Sequence, residues 1–273
     1  MASLGRILLA MSKRHPEFLA PIAPTANKYS RGVVGVLAGS DRYPGAAVLA
    51  VGGARRGGAG YVKHFSDSQR ATDLVLARFP DVVPISNRDD LTADAWLIGS
   101  GMPNLKTLPT SPFVVLDSSA MSLARSHRFQ DNHAIVITPH EGEAAELGFP
   151  ISDPSDRMPV AISMARALNV FVILKGPSTV IASPQGIHAV DSNGVPELST
   201  AGTGDVLAGL TASMLASWQP QAAGEIIDVL GYAVAAHGIA AQIARERVNP
   251  MTALDLLEAL PEVFLSTKIS NRK

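Results

Sequence analysis

The sequence predicts an α/β protein with a mostly parallel sheet flanked by helices. Three observations predict it. Short β-branched runs alternate with Ala-rich helical runs along the chain. Several short runs are apolar throughout, as in Phe113-Val114-Val115-Leu116, which marks strands covered on both faces. Strand followed by helix, repeated, is the pattern of βαβ units.

The candidate strands, in order, are residues 33–38, 82–85, 96–98, 113–117, 134–138, 170–175, 179–182 and 187–190. The helical stretches include 46–55, 158–168 and 206–218. Ser183-Pro184-Gln185-Gly186 has Pro at the second turn position and Gly at the fourth. It should therefore join 179–182 to 187–190 as an antiparallel hairpin. After Gly202 the chain reads almost wholly helical. No internal repeat, low-complexity block or composition shift divides it. A single domain over residues 1–273 is expected, with short flexible ends at about 1–20 and 266–273.

Composition excludes several classes of function. Lys plus Arg number 23 and Asp plus Glu 24, a formal net charge of −1. A protein whose partner is nucleic acid would need a basic field. Hydrophobic residues at 47% and charged residues at 17% exclude general disorder. The absence of cysteine excludes disulfides, thiolate metal sites and cysteine nucleophiles, and it fits a reducing compartment. The most apolar stretch, 226–244, is interrupted by Asp228, His237 and Gln242, short of the ~18 unbroken apolar residues of a membrane span. The apolar piece at 7–11 is brief and is followed by Lys13, Arg14 and His15, unlike a signal peptide. A cytoplasmic protein with no membrane partner is expected.

In an open parallel sheet, ligands bind beyond the carboxyl ends of the strands, and four places there carry candidate chemistry. The sharpest is Thr200-Ala201-Gly202-Thr203-Gly204-Asp205-Val206, where small residues lead into a helix. A Gly-Thr-Gly turn at a helix start leaves backbone N–H groups free, and an anion can approach unobstructed by Cβ atoms. Asp205 then adds a carboxylate in the first turn. It either caps the helix dipole or takes a proton from a hydroxyl that attacks the bound anion, as phosphoryl transfer requires. The segment is neither a Walker A loop nor a dinucleotide fingerprint.

The second place is Thr138-Pro139-His140-Glu141-Gly142-Glu143. Thr138 suits an N-cap, Pro139 the first helical position and Glu141 a capping box, with His140 in the first turn facing the ligand side. Third, Lys175-Gly176-Pro177-Ser178-Thr179 follows an apolar strand, so that Lys175 could set a positive charge beside a phosphate or merely open a solvated turn. Fourth, a glycine-rich stretch from Gly35 to Gly60 either lets a ligand lie on the backbone or serves close helix–sheet packing. Asp117, Gly99 and Gly101 also follow strands.

Taken together, these segments resemble the ADP/ATP-dependent NAD(P)H-hydrate dehydratases of the ribokinase-like superfamily, from about Lys28 to Phe264. The parts stand in the family's order: Lys28 with Gly32; Ala38-Gly39-Ser40 and Pro44-Gly45-Ala46-Ala47; Gly99-Ser100-Gly101; Val115-Leu116-Asp117; Thr138-Pro139-His140-Glu141-Gly142-Glu143; Leu174-Lys175-Gly176; Gly202-Thr203-Gly204-Asp205; and Thr252-Ala253-Leu254-Asp255. The resemblance implies a three-layer αβα sandwich. It also implies repair of the (S)-epimer of NADH or NADPH hydrate, with ADP or ATP phosphorylating the ring hydroxyl before phosphate is eliminated.

By the same resemblance, Asp205 is the base and Gly202, Thr203 and Gly204 hold the migrating phosphoryl group. Lys175, Gly176, Pro177, Ser178, Thr179 and Gly204 bind nucleotide, while Ala47, Gly101, His140 and Asp205 line the hydrate pocket. Mg²⁺ is the implied cofactor, with no ligand set assigned. The chain departs from the family pattern at Ser100, Ser119 and Val195. The fused epimerase domain of many relatives is absent from the sequence, so a separate epimerase is an implied functional partner. Apolar helical surface in the last third allows a homo-oligomer. A small-molecule kinase of the same fold, acting on a vitamin-precursor alcohol, and a nucleotide sensor without turnover stay open as alternatives.

Overall fold

Nine strands build one sheet in the order β3-β2-β1-β4-β5-β6-β7-β8-β9. The structure is a computed structural model, and it describes residues 22–85, 92–101, 109–125 and 134–270. The strands are β1 Val33–Leu37, β2 Tyr61–Phe65, β3 Val83–Pro84, β4 Ala95–Ile98, β5 Phe113–Leu116, β6 Ala134–Ile137, β7 Phe171–Leu174, β8 Thr179–Ala182 and β9 His188–Asp191. All neighbours from β3 through β7 pair in parallel, and β8 and β9 fold back antiparallel. The turn expected between the last two strands forms, with Gly186 N–H donating to the Ser183 carbonyl at 3.0 Å.

The helices are α1 Pro44–Ala54, α2 Gln69–Arg78, α3 Glu141–Glu146, α4 Arg157–Leu168, α5 Thr203–Trp218, α6 Ala223–Arg247 and α7 Ala253–Ser270. Alternate strand residues feed two cores. Val34, Val36, Leu97, Val115 and Ile173 face α1, α2, α5, α6 and α7. Trp96, Val114, Leu116, Val172 and Leu174 face α4, Ala144 of α3 and the 3₁₀ turns Ser118–Arg125. The result is the three-layer arrangement expected.

β2 and α2 went unread in the sequence, and the reason is visible in β2. Tyr61-Val62-Lys63-His64-Phe65 carries two polar residues, both buried in place. Lys63 Nζ donates to the Thr92 carbonyl at 3.0 Å, and His64 Nε2 donates to the Ala38 carbonyl at 3.1 Å. The glycines nearby mostly serve packing. A Cβ on Gly53 would lie 2.2 Å from the Val206 carbonyl oxygen, and one on Gly209 would lie 1.9 Å from that of Ala50, so α1 and α5 touch backbone to backbone.

α6 is long and apolar enough by length and composition to cross a membrane, yet 78% of its most apolar window is buried inside the protein. Burial marks it as a core helix. α7 continues to Ser270, through part of the stretch expected to be a flexible end, while residues 1–21 and 271–273 lie outside the described residues.

Candidate active site

The chain runs β1, β2, β3 outward and then returns to place β4 on the other side of β1, making a switch point of the kind at which open α/β sheets bind ligands. Two turns meet there. Gly39 N–H donates to the Ser100 carbonyl at 2.9 Å, and a Cβ on Gly101 would lie 3.1 Å from both Gly39 C and Ser40 N. Both glycines have positive φ, +89° and +85°. Ala47, expected in the hydrate pocket, is wholly buried beneath this turn, with its Cβ 2.6 Å from where a Gly39 Cβ would stand. It supports the turn and presents no side chain to a ligand.

Further along the same edge, charged groups converge from three strand ends. Asp117 follows β5 and is buried. Its Oδ1 accepts from Thr138 Oγ1 at 2.6 Å and lies 3.3 Å from Lys175 Nζ, which follows β7. Glu143 Oε2 stands 3.7 Å from the same ammonium. Because the Thr138 hydroxyl is spent on Asp117, it does not cap the next helix. His140 does so instead: its Nδ1 accepts from Glu143 N–H at 3.2 Å, and Glu143 Oε2 accepts from His140 N–H at 2.8 Å. The expected cap with Thr138, Pro139 and Glu141 is thereby corrected by two positions. The His140 ring remains exposed.

The Gly202–Asp205 segment enters α5 beside this cluster. Gly202 is the N-cap, left-handed at φ +93°, and no side chain caps the helix. Thr203 does not offer its hydroxyl outward, since Oγ1 donates to the carbonyls of Leu198 at 2.8 Å and Thr200 at 2.9 Å. A Cβ on Gly204 would lie 3.3 Å from Lys175 Nζ, so the ammonium leans on the first turn of α5. Burial raises the Asp205 carboxyl to about 7, aided by the negative charges of Asp117 and Glu143 and opposed by Lys175. From behind, buried His237 of α6 donates Nε2–H to the Thr203 carbonyl at 2.9 Å, and burial lowers its pKa to about 4. It is neutral at physiological pH.

A family model described as NAD(P)H-hydrate dehydratase matches residues 34–262, all of the sheet but the start of β1. The chain belongs to this family. It is 36% identical to the bifunctional NAD(P)H-hydrate repair enzyme Nnr of Mycobacterium tuberculosis over 210 residues, 72% of this chain and 43% of that protein. It is 31% identical to the ADP-dependent (S)-NAD(P)H-hydrate dehydratase of Xanthomonas campestris over 71% of this chain and 75% of that one. A crystal structure of the ADP/ATP-dependent NAD(P)H-hydrate dehydratase of Bacillus subtilis, co-crystallised with ATP/Mg²⁺, superposes with a TM-score of 0.81 at 28% identity, covering 92% of this chain and 95% of that one. The chain thus spans less than half of the longer relative and most of the shorter ones. The fold is ribokinase-like.

For this dehydratase-family chain, the structure brings Asp205, Gly204 and Lys175 together, with His140 tied to Lys175 through Glu143. Gly101 sits apart, at the switch point, and Gly176 and Pro177 are exposed. Ser178 Oγ pairs with Ser192 Oγ at 3.0 Å, and Thr179 closes back on the Gly176 carbonyl at 3.5 Å. Sequence reasoning gave no role to Glu143 or His237, gave Thr138 only that of a helix cap, and gave little weight to Asp117. For Asp117 the available signals were its position after an apolar strand and its place in the Val115-Leu116-Asp117 segment. Of the departures, Ser119 is exposed, Ser100 holds the Gly39 turn through its carbonyl, and Val195 packs on the larger core.

Proposed function

We propose that this protein restores NADH or NADPH from the (S)-epimer of its hydrate, using ADP or ATP as phosphoryl donor. The carrying observation is a half-buried Asp205, raised to about 7 by desolvation, in the uncapped first turn of α5 beside Lys175. A carboxylate poised there is matched to base chemistry near neutral pH.

In this reading the terminal phosphoryl group rests on the free N–H groups at the start of α5, with Lys175 as a point charge. Asp205 takes the proton of the ring hydroxyl, whose oxygen bonds to the terminal phosphorus as the bond to the nucleotide breaks, releasing AMP from ADP. Phosphate then leaves with its bonding electrons, a proton departs from the neighbouring ring carbon, and the ring double bond is restored. The peptide 175–179 and Gly204 hold the nucleotide, while Gly101 and His140 flank the hydrate. Main-chain N–H groups serve at Gly202 and Thr203, because the Thr203 hydroxyl is already engaged.

Among the described residues, no three metal-ligating side chains converge to hold an ion by themselves. The carboxylates of Asp117 and Glu143 nonetheless offer oxygen donors that suit a hydrated Mg²⁺ held jointly with nucleotide phosphates. When bound, such an ion neutralises phosphate charge. A reducing, cytoplasmic location, self-association and a separate epimerase supplying the (S)-epimer complete the reading, with residues 1–273 acting as one domain.

The test is incubation with hydrated NADH and ADP. Recovery of the dihydronicotinamide absorbance supports the dehydratase. A phosphorylated product without recovery supports a kinase, and ADP binding without any turnover supports a sensor.

A further inference from the structure

Behind the site lies a buried cation that the reaction does not use. Arg157 opens α4 and is 7% exposed. Its Nη1 donates to Glu141 Oε1, one residue beyond His140. Its Nη2 donates to the carbonyls of Leu174 at 3.3 Å and Lys175 at 3.0 Å. A buried guanidinium is tolerated when acceptors surround it, and here the fork clamps two segments at once. Gly176 follows directly. A Cβ there would lie 2.2 Å from Arg157 Nη2, 2.6 Å from Cζ and 2.8 Å from Nη1. The φ of Gly176 is not positive, so its backbone conformation does not demand glycine.

We propose that Arg157 is a positioning residue for Lys175, and that Gly176 is glycine to admit this guanidinium and not to admit the nucleotide. The inference rests on the reading of Lys175 as a nucleotide contact. Arg157 fixes the carbonyl of Lys175 and ties it to the Glu141 segment, so the ammonium starts from a fixed point. An alanine at 176 displaces the fork and has the same effect from the other side.

The experiment is a double-mutant cycle on the full chain, reading the ADP Kd by calorimetry, kcat at saturating ADP, and Tm. Arg157→Met and Gly176→Ala are each expected to weaken ADP binding about tenfold, with kcat of Arg157→Met changed by less than about twofold. The double variant is expected to bind no worse than Arg157→Met alone, because the clash has lost its partner. An equal cost for Gly176→Ala in both backgrounds overturns the proposal, since the glycine would then serve the ligand. Arg157→Lys keeps the charge but cannot fork, so wild-type ADP affinity in that variant also overturns it and does not depend on the Met variant folding. Wild-type protein that binds neither ADP nor ATP overturns the functional reading as well. Wild-type binding with unshifted variants overturns only the role of Arg157.

Discussion

Lys175 and Asp117 pair across an intervening strand. The ammonium at the end of β7 lies 3.3 Å from Asp117 Oδ1 at the end of β5, over the end of β6. Glu143 adds a second carboxylate at 3.7 Å, and Asp205 stands within the same field. Desolvation of the half-buried Asp205, reinforced by the charges of Asp117 and Glu143 and opposed by Lys175, is why this acid keeps its proton up to about 7. The following predictions test this arrangement.

Removing the base should abolish turnover without abolishing binding. Asp205→Asn is expected to lower kcat by ~10²–10⁴-fold while the ADP Kd stays near wild type. In the wild type, kcat/KM should rise with pH through about 7, because only the ionised carboxylate accepts a proton. A wild-type profile flat from pH 5 to 9 would exclude Asp205 as the titrating base.

The neighbours of Asp205 should move that midpoint in opposite directions. Lys175→Ala removes the cation that favours the ionised form, so the acid limb shifts to higher pH and ADP binds more weakly. Asp117→Asn removes a repelling charge, and the limb shifts lower. The pH dependence of kcat/KM for the two variants decides it. Shifts of the same sign contradict the electrostatic account.

Stability should record the same proton. The native pKa of Asp205 is raised above 3.8, so the folded state holds a proton that the unfolded chain has released. Stability from this group is present below about pH 4 and is lost as pH rises through about 7. Denaturation of Asp205→Asn against wild type should therefore show the variant gaining relative stability from pH 4 to 8, by roughly 4 kcal/mol at most. A difference independent of pH would refute it.

His237 should act with the opposite dependence. Its native pKa, near 4, lies below the ordinary histidine value of 6.5, so the unfolded chain binds a proton that the native state refuses. Its contribution is intact above about pH 6.5 and falls away toward pH 4. His237→Gln, which retains an N–H donor for the Thr203 carbonyl, should flatten the pH dependence of Tm over that window.

Two glycines should respond differently to the same substitution. Gly209→Ala drives a Cβ to 1.9 Å from the Ala50 carbonyl oxygen and must part α1 from α5, at a cost of about 3 kcal/mol or more. Gly45→Ala, in α1 with nothing within 4 Å, should be neutral or stabilising by up to about 1 kcal/mol. Urea midpoints for both variants give the comparison.

The sequence by itself determined the layered α/β architecture, the closing hairpin and the acid at the start of α5. Each depends on neighbours in the chain: apolar runs, a Pro-x-Gly turn, small residues before a helix. β2 escaped notice because Lys63 and His64 find buried acceptors at Thr92 and Ala38, and neither acceptor is written into the local pattern. Only the tertiary structure decided that Asp117 meets Lys175 across 58 residues and that His237 meets Thr203 across 34. Only it assigned the cap to His140 and the space beside Gly176 to Arg157. The Asp117–Lys175 pair joins the ends of two non-adjacent strands, and the others depend on how helices pack against those ends, so strand order and helix packing set their distances.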